Sequence, residues 1–597
     1  MRKLIIVGGV LVVLLIAVVA IAVSNINGYL EENREELAAQ ASTAAGRTVD
    51  FDRAEVAFSS GLAVRLVGLE ISDDPRFGTE QFLTLDEAYV GVRIWPALQK
   101  RIEVSGIRFD APTIRVIQTV DGYNFSSLGG SSGANKETSG DAPGEAEPEG
   151  DSSLAIAIAL FEIVDGTIVY EDRTSVEGLS LVVEDFETSG TDLSLEGPLS
   201  MDFAGRVHSA KPADAGLASD ISGDVDLASL ETLTGKVQLR SPSLHPAIFG
   251  VRLEEGGEVE HLDDLVVDLD LKQGLAASGI PVAIRSSAAR LSGFDLNDIS
   301  IDADYRSARR GAKVTLEQVV IGLAGGSVEL AGDLVLGKPG ASPFDLTSKI
   351  QSIDSGELAA VLLGVPRGAL SGSLGGDVAL KGDSLEWESL KKSLVGSLRL
   401  DIGEGALEQV NVLSQLVSGL TAAPGFGQLA ATSIRDVAPN ALAGDRTAFE
   451  GINMALEILD GSVQAKDLSL KAGDFALQAI GKVGLDGVVA ADGKLLFSED
   501  LSRKILKKAD RLAPLLGDGG QVALPLRLGG TTADPTLIPD LTALTGKAQD
   551  ELKNRAVEEL SNAIFGKNRD GDSEREKADR SSTEGLLKEG LGRFLGR

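Results

Sequence analysis

No cysteine occurs anywhere in the 597 residues. That excludes thiol nucleophiles, disulfide frameworks and cysteine-ligated metal sites together. Histidine is nearly as scarce: His208, His245 and His261 are the only three, too dispersed to suggest a catalytic triad or a histidine metal site. Basic charge is also short. Against 89 acidic residues there are 56 Lys and Arg, a net charge of −33. Such a chain is repelled by nucleic-acid phosphates, so no nucleic-acid partner is expected. Anionic lipid head groups repel it too, so any lipid contact must rest on apolar burial. Aromatic residues are only 4% of the chain, which suits a continuous aliphatic lining better than a few tight anchors. Nothing singles out a pair of carboxylates for glycoside chemistry. The chain is expected to be no enzyme, with no cofactor and no metal.

What is present begins with an uncharged apolar run, Leu4 to Val23. Twenty residues at about 1.5 Å rise span roughly 30 Å, the hydrocarbon thickness of a bilayer. Arg2 and Lys3 precede the run, and no basic residue follows before Arg34. The positive-inside rule then keeps the N-terminus cytoplasmic and exports the rest. Ala20 and Ala22 offer a small-x-small pair, but the run exceeds the roughly 7–15 residues of a signal-peptide core. An uncleaved single-pass anchor is the reading, over 1–23. Residues 24–46 are helix-prone, and 47–128 change to short strands. Gly129 to Ser153 is rich in Gly, Ser, Pro and Glu without an apolar cluster, which marks a flexible linker.

From Leu154 to about Leu528 the dominant pattern has period two, the mark of strands with one apolar and one wet face. Leu265, Val267, Leu269 and Leu271 share one parity. So do Val328, Leu330, Leu334 and Leu336; Leu398, Leu400 and Ile402; and Phe475, Leu477, Val483 and Leu485. These are the candidate groove residues. Strict alternation favours antiparallel sheet. Asp165-Gly166, Asp460-Gly461, Asp486-Gly487 and Asp492-Gly493 read as hairpin turns. No strict repeat period emerges, which disfavours a propeller or tight solenoid. Helical insertions are expected at Gly356–Val365 behind the caps Asp354 and Ser355, at Ala406–Leu420, and at Leu501–Leu516 with a basic face. A long polar-faced helix is expected at Leu541–Phe565. An amphipathic helix is expected at Thr583–Arg597, with Leu586, Leu587, Leu591, Phe594 and Leu595 on one side.

Three decoys carry no chemistry. Gly129-Gly130-Ser131-Ser132-Gly133 matches G-x-S-x-G but lies in the linker, without the strand and helix a nucleophile elbow needs. Gly425-Phe426-Gly427-Gln428-Leu429-Ala430 resembles a dinucleotide fingerprint but lacks a preceding strand and reads as a loop. Asp264, Asp268 and Asp270 share a parity, which alternation explains as a wet face without a calcium loop.

Two stretches resemble the AsmA family. From Ala63 to Leu128, Asp74, Phe77 and Gly78 fill a DxxxFG-like element, Pro96 a short helix, Pro112 the next strand element, and Asp121, Gly122 and Asn124 a DGxxN phrase. From Thr447 to Leu544, Leu524, Pro525, Gly529, Gly530, Pro535, Pro539 and Asp540 carry a closing phrase similar to that of the AsmA-like C-terminal domain. One extra polar residue follows the glycines there. The middle, about 154–380, is similar only in β-rich texture. The resemblance implies an inner-membrane-anchored periplasmic protein of a Gram-negative envelope, akin to bridge-like lipid transfer proteins and linked to phospholipid movement and outer-membrane homeostasis.

The expected fold class is therefore mainly β with helices. An N-terminal transmembrane helix leads to an elongated, curled antiparallel β-groove with a chorein-like N-terminal end, helical insertions and C-terminal amphipathic helices. About 30 strands at roughly 4.8 Å would make a trough on the order of 140 Å long. The expected segments are 1–23 anchor, 24–128 N-terminal region, 129–153 linker, 154–390 central groove, 391–545 C-terminal domain and 546–597 helical tail. The expected partners are phospholipid, the inner membrane through the anchor, and the outer membrane or an outer-membrane or periplasmic protein at the far end. The alternative is a scaffold for outer-membrane protein assembly that carries no lipid. Alternation does not by itself separate an open groove from a filled core.

Overall fold

The computed structural model describes residues 32–543 apart from 58–61, 94–103, 129–157, 175–177, 194–197, 211–215, 230–233, 250–258, 273–278, 292, 309–310, 337–341, 422–425, 485–486, 518, 532–534 and 541. The run Leu4–Val23, the segment Gly129–Ser153, Pro96, Leu485, Asp486 and the tail helix Thr583–Arg597 lie outside the described residues, as does nearly all of Leu541–Phe565. Among the described residues no helix is long and apolar enough to cross a membrane. The fold is mainly β, in two compact units: Met1–Leu323 with Ser327–Leu346, and Ala324–Gly326 with Thr347–Arg597.

The first unit opens with helix α1 (Arg34–Ala45), which turns its buried Leu37, Ala41 and Ala45, four residues apart, to one side. Gly46 ends it in the left-handed conformation, φ 67°, which costs glycine little. Strands β1 (Val49–Asp50) and β2 (Arg53–Ala57) both pair with β3 (Leu62–Ser72), and β3 pairs with β4 (Gln81–Val92). Next come β5 (Val104–Asp110), β6 (Thr113–Thr119) and the short β7 (Gly122–Tyr123). Leu37 and Ala41 pack with Val64, Leu66, Leu69, Ile71, Leu85 and Val90 into a closed core.

Strand β8 (Ile158–Asp172) departs from the expected antiparallel pattern, because it pairs parallel to both β5 and β6. The sheet is therefore mixed. The 34 residues between β7 and β8 supply the long connection that a parallel return requires. Beyond it the rule holds. Strands β9 (Ser180–Leu193), β10 (Leu199–Ser209), β11 (Ala218–Ser229), β12 (Thr234–Leu244), β13 (Val259–Asp270), β14 (Ile280–Leu291), β15 (Phe294–Ala308) and β16 (Gly311–Leu323) each pair antiparallel with the one before. Strand β17 (Gly326–Leu336) follows, with Lys313 Nζ of β16 3.0 Å from Asp333.

Two expected turns are not turns. Asp165-Gly166 lies inside β8 at a bulge, with Asp165 at φ 53° and the register slipping between Ile163 and Gly166. Asp492-Gly493 sits inside a regular strand, paired with Ile480 and Ala479. Asp460-Gly461 makes the expected two-residue hairpin, with φ 52° and 68° and Leu459 paired to Ser462. Aspartate tolerates the left-handed region in bulges as well as turns, so the dipeptide does not choose between them. The same conformation recurs within strands at Asp185, Asp264 and Asp298, at φ 50°, 48° and 48°. At each one the apolar parity of the sequence changes: Phe186 to Val183, Leu265 to Leu262, Ile299 to Leu296. Asp264 and Asp298 flank Ser287 in register, and the Ser287 hydroxyl donates to Asp264 at 2.7 Å. Strict alternation over whole strands, and the shared face of Asp264 with Asp268 and Asp270, are corrected here.

Strand β18 (Phe344–Asp354), which belongs to the second unit from Thr347 on, runs into α2 (Ser355–Leu363), where the Asp354 side chain accepts from the Gly356 and Glu357 N–H groups and Gly364 closes the helix. A small sheet joins β19 (Leu370–Ser371), β22 (Gly405–Leu407) and β23 (Thr447–Phe449). The main sheet runs antiparallel through β20 (Ser373–Gly382), β21 (Val395–Ile402), β24 (Gly451–Leu459), β25 (Ser462–Lys471), β26 (Phe475–Gly484), β27 (Val489–Phe497), β28 (Ala523–Gly530) and β29 (Pro535–Pro539). Helices α3 (Trp387–Ser393), α4 (Val412–Thr421), α5 (Phe426–Val437) and α6 (Glu499–Lys508) accompany it. Helix α4 is shorter than the expected Ala406–Leu420, because Ala406 is a strand residue in β22. Helix α6 gives way at Asp510 to a 3-10 turn containing Pro514. Of the expected loop Gly425–Ala430, residues Phe426–Ala430 instead open α5, which buries Ala430, Ala431 and Ile434 at helical spacing, and Gly425 lies outside the described residues.

Candidate functional site

The first unit sets apolar side chains in register across its sheet. Met201, Val225, Val237, Leu269, Val282, Ala303 and Leu316 pair successively from β10 to β16. Two residues along, Phe203, Gly223, Leu239, Val267, Ile284 and Ile301 form a second row, which reaches Val319 on β16 across a bulge that sets it three residues from Leu316. Residues two apart on a strand point to one face, so both rows line the same side. Val237, Leu239, Val267, Leu269, Val282, Ile284 and Ile301 are half-buried, not sealed. Among the described residues the 3-10 turn Pro246–Phe249 packs on β10 and β13, and no α-helix packs closely on these strands. The buried cluster here is small: Leu199, Leu227 and Leu271. These three form a margin on one side of the two open rows, and Ser241, Leu265, Ser286 and Ile299 form a buried margin on the other. The hydroxyls in that second margin are satisfied: Ser241 donates to the Asp220 carbonyl and Ser286 to the Asp263 carbonyl, both at 2.7 Å.

The opposite face is acidic. Asp202, Asp224, Gln238, Asp268 and Asp302 lie along a hollow of about 570 Å³. Cations partly offset this charge, with Arg240 2.7 Å from Asp224, Lys272 2.7 Å from Asp270 and Arg285 2.7 Å from Asp302. The bond from Lys272 holds the Asp270 carboxyl below its usual range. Among the described residues no group of three or more His, Asp or Glu side chains is arranged to hold a metal.

The second unit repeats the registered rows but closes one. Leu374, Ile402, Ile452, Leu470, Leu477, Leu495 and Leu524 pair across β20 to β28. Leu495 is 0% exposed and Leu524 1%. Buried residues of the added helices, among them Leu416 and Leu420 of α4 and Leu501 and Ile505 of α6, accompany them. Next to it, Leu400, Met454 and Leu468 remain half-buried, as do Leu398 and Leu456 in the row beyond.

The expected groove residues therefore fall in three settings. Val267, Leu269, Val328, Leu330, Leu334, Leu398, Leu400 and Val483 are half-buried; Leu265, Leu271, Ile402, Phe475 and Leu477 are buried; Leu336 is exposed. Sequence reasoning passed over Val237, Leu239, Val282, Ile284 and Ile301. Their signal was present as short alternating phrases, KVQLRS, PVAIRS and SIDA, too brief to stand out alone.

The motif residues of the N-terminal region do a different job. The Arg47 guanidinium and the Asp73 carboxylate, with side chains 3% and 1% exposed, meet at 3.1 Å. Arg47 also donates to the Asn124 carbonyl and to the Ser127 hydroxyl. The Asn124 amide donates to Asp73 and to the Arg115 carbonyl, both at 2.9 Å, and accepts from the Ile117 N–H at 3.0 Å. Asp74 pairs with Arg76 and accepts from Ser127 at 2.8 Å. The Arg76 side chain holds the Asp74 carboxyl well below the usual carboxylate range, helped by the Arg76 backbone N–H and Ser127. Burial lowers Arg47. This network ties α1, β3, β6 and the turn after β7 together. It is internal architecture, remote from the open rows of β10–β16.

The AsmA family model matches residues 272–468. This chain carries an AsmA family region. The match begins just before β14 and ends within β25. It thus covers part of the open rows in the first unit, a stretch whose likeness in sequence was one of texture only. No curated protein and no solved structure matches the chain.

Proposed function

We propose that this AsmA family chain carries phospholipid along the apolar face of its sheet, without covalent chemistry. In this reading the run Leu4–Val23 holds the N-terminus in the inner membrane, the bulk of the chain lies in the periplasm, and the far end serves the outer membrane. The observation that supports it is the pair of registered apolar rows across β10–β16, mostly half-buried, on which the 3-10 turn Pro246–Phe249 packs at β10 and β13 but no α-helix packs closely among the described residues. Leaving such a surface to water costs about 25 cal/mol per Å², and large exposed apolar patches mark binding sites. An aliphatic floor without charges suits acyl chains. The acidic opposite face leaves the apolar side as the only one suited to them.

The test is retention of lipid. Full-length protein purified in mild detergent should co-isolate with phospholipid. A photoreactive residue in place of Leu269 or Leu400 should crosslink to it, and one in place of Asp224 should not. Protein that retains no lipid, or that crosslinks equally from Asp224, would refute the reading.

A further inference from the structure

The closing phrase of the sequence, Leu524 to Asp540, builds β28 and β29, and its prolines fall at particular places on the last strand. Strand β29 pairs antiparallel with β28, with Pro539 opposite Leu526, Leu537 opposite Leu528 and Pro535 opposite Gly530. The Asp540 N–H donates to the Pro525 carbonyl at 2.9 Å. Backbone groups alternate sides along a strand with period two. Asp540, Ile538 and Thr536 therefore turn their N–H and C=O groups toward β28, and Pro539, Leu537 and Pro535 turn theirs away from it. Among the described residues no other strand pairs with β29, so this second set lies along an open edge. Two of its three members are prolines and have no N–H. Leu537 carries the one donor left.

The same stretch turns the chain out of the sheet. The Asp540 carboxylate accepts from the Thr542 and Ala543 N–H groups at 3.0 and 3.1 Å and lies 3.0 Å from Arg527 of β28. Helix α4 packs on β29. There Gly419 comes so near the buried Pro539 that a β-carbon would stand 2.6 Å from the proline ring.

We propose that Pro535 and Pro539 close this edge against a further strand, above all the same strand of a second copy of the chain. A two-fold pairing of β29 with itself about Leu537 would set Pro535 of each copy opposite Pro539 of the other. Three outward residues on each side would otherwise donate six bonds in all, and the prolines remove four of them. Each bond is worth about a factor of five, so the loss is on the order of several hundredfold in association. The proline rings also occupy the space where an incoming carbonyl would sit. An unblocked edge is a template for chain-to-chain pairing. This role stands apart from lipid carriage and does not depend on it.

Thr536→Cys with Ile538→Cys makes the test, because the chain has no cysteine of its own. In the two-fold pairing these positions oppose each other at about 4.5 Å between Cα atoms, within reach of a disulfide. Full-length protein in mild detergent would be oxidised with and without Pro535→Val and Pro539→Val, and the linked dimer read on non-reducing gels. Linked dimer should stay under about a tenth of the chain with the prolines in place and rise at least about fivefold without them. Circular dichroism and thermal unfolding report whether each variant is folded. Pro535→Val alone leaves Pro539 packed on α4, restores two of the four donors and should give an intermediate yield. Linkage as ready with the prolines as without them, or no linkage from any folded proline variant, overturns the proposal. Lipid retention is a separate readout, so the carrier reading stands or falls independently.

Discussion

Placing a carboxylate in both open rows of one strand should block lipid passage while leaving the fold in place. The perturbation is Val267→Asp together with Leu269→Asp, neighbours on the face of β13. Each side chain is half-buried, so the loss of apolar burial is about 1 kcal/mol apiece, half the cost of exposing a fully buried Val or Leu. Their cross-strand partners, Leu239, Ile284, Val237 and Val282, carry no charge, so no like-charge clash adds to that. A lipid chain passing over the pair meets ionised oxygen. One aspartate amid hydrocarbon costs about 3 kcal/mol on the insertion scale. At 1.36 kcal/mol per factor of ten, a barrier raised by that amount slows passage on the order of a hundredfold. The assay is transfer of a fluorescent phospholipid from donor to acceptor liposomes by the full-length protein. Ser222→Asp on the opposite face is the control and should change the rate less than twofold. A double variant that remains folded and transfers within threefold of the parent would refute the track.

Other outcomes follow from particular contacts. Asp73→Ala strands the buried Arg47 guanidinium and should destabilise the N-terminal region by about 4 kcal/mol. Hydrogen exchange in β3 and β6 should report that loss, and Asp73→Leu with Arg47→Met should recover most of it. Because folding depresses the Asp74 pKa, its stabilisation is present above the unfolded value near pH 4 and is lost as pH falls through the lower folded value. The stability gap between parent and Asp74→Asn should therefore narrow below about pH 4 in thermal melts. At Asp264, φ 48°, glycine should be tolerated within about 1 kcal/mol, whereas valine should cost about 1–3 kcal/mol of backbone strain, measured by thermal unfolding. Asp354→Ala removes the cap of α2 and should cost about 1 kcal/mol, read from exchange of the Gly356 and Glu357 amides.

The sheet was legible wherever alternation ran long. LVVDLDL and SLRLDI became β13 and β21 because period two with a polar partner leaves little else to form. Helix α2 was legible because Asp354, Gly364 and Pro366 bracket it chemically. Helix α5 was not, because Gly425 and Gly427 at its head read as loop punctuation, while the buried Ala430, Ala431 and Ile434 come after them. The bulges were illegible for a different reason. Asp165 before Gly166 and Asp460 before Gly461 hold the same backbone conformation, and only the pairing of the neighbouring strands separates a bulge from a turn. The parallel return of β8 to β5 and β6 is likewise a property of tertiary placement. The polar network was half visible. Asp74 and Asn124 belong to recognisable phrases, but Arg47 and Asp73 lie outside them, and the pair is made only when α1 docks on β3.

Alternation is equally good in both units, so it cannot be what leaves the rows of β10–β16 open and closes the row through Leu495 and Leu524. The difference lies in the connections. Between β22 and β23 the second unit inserts Glu408 to Arg446, enough for α4 and α5, and between β27 and β28 it inserts Ser498 to Val522, enough for α6 and the 3-10 turn. Those insertions carry the buried Leu416, Leu420, Leu501, Ile505 and Leu512, an apolar layer to accompany the sheet. In the first unit β14 and β15 are joined by residues 292–293, and β15 and β16 by 309–310. Two residues cannot form even one helical turn, so these hairpins bring no second layer with them. An apolar sheet face needs a partner layer. Over β14–β16, where the connections are too short to provide one, the proposed phospholipid would supply that layer.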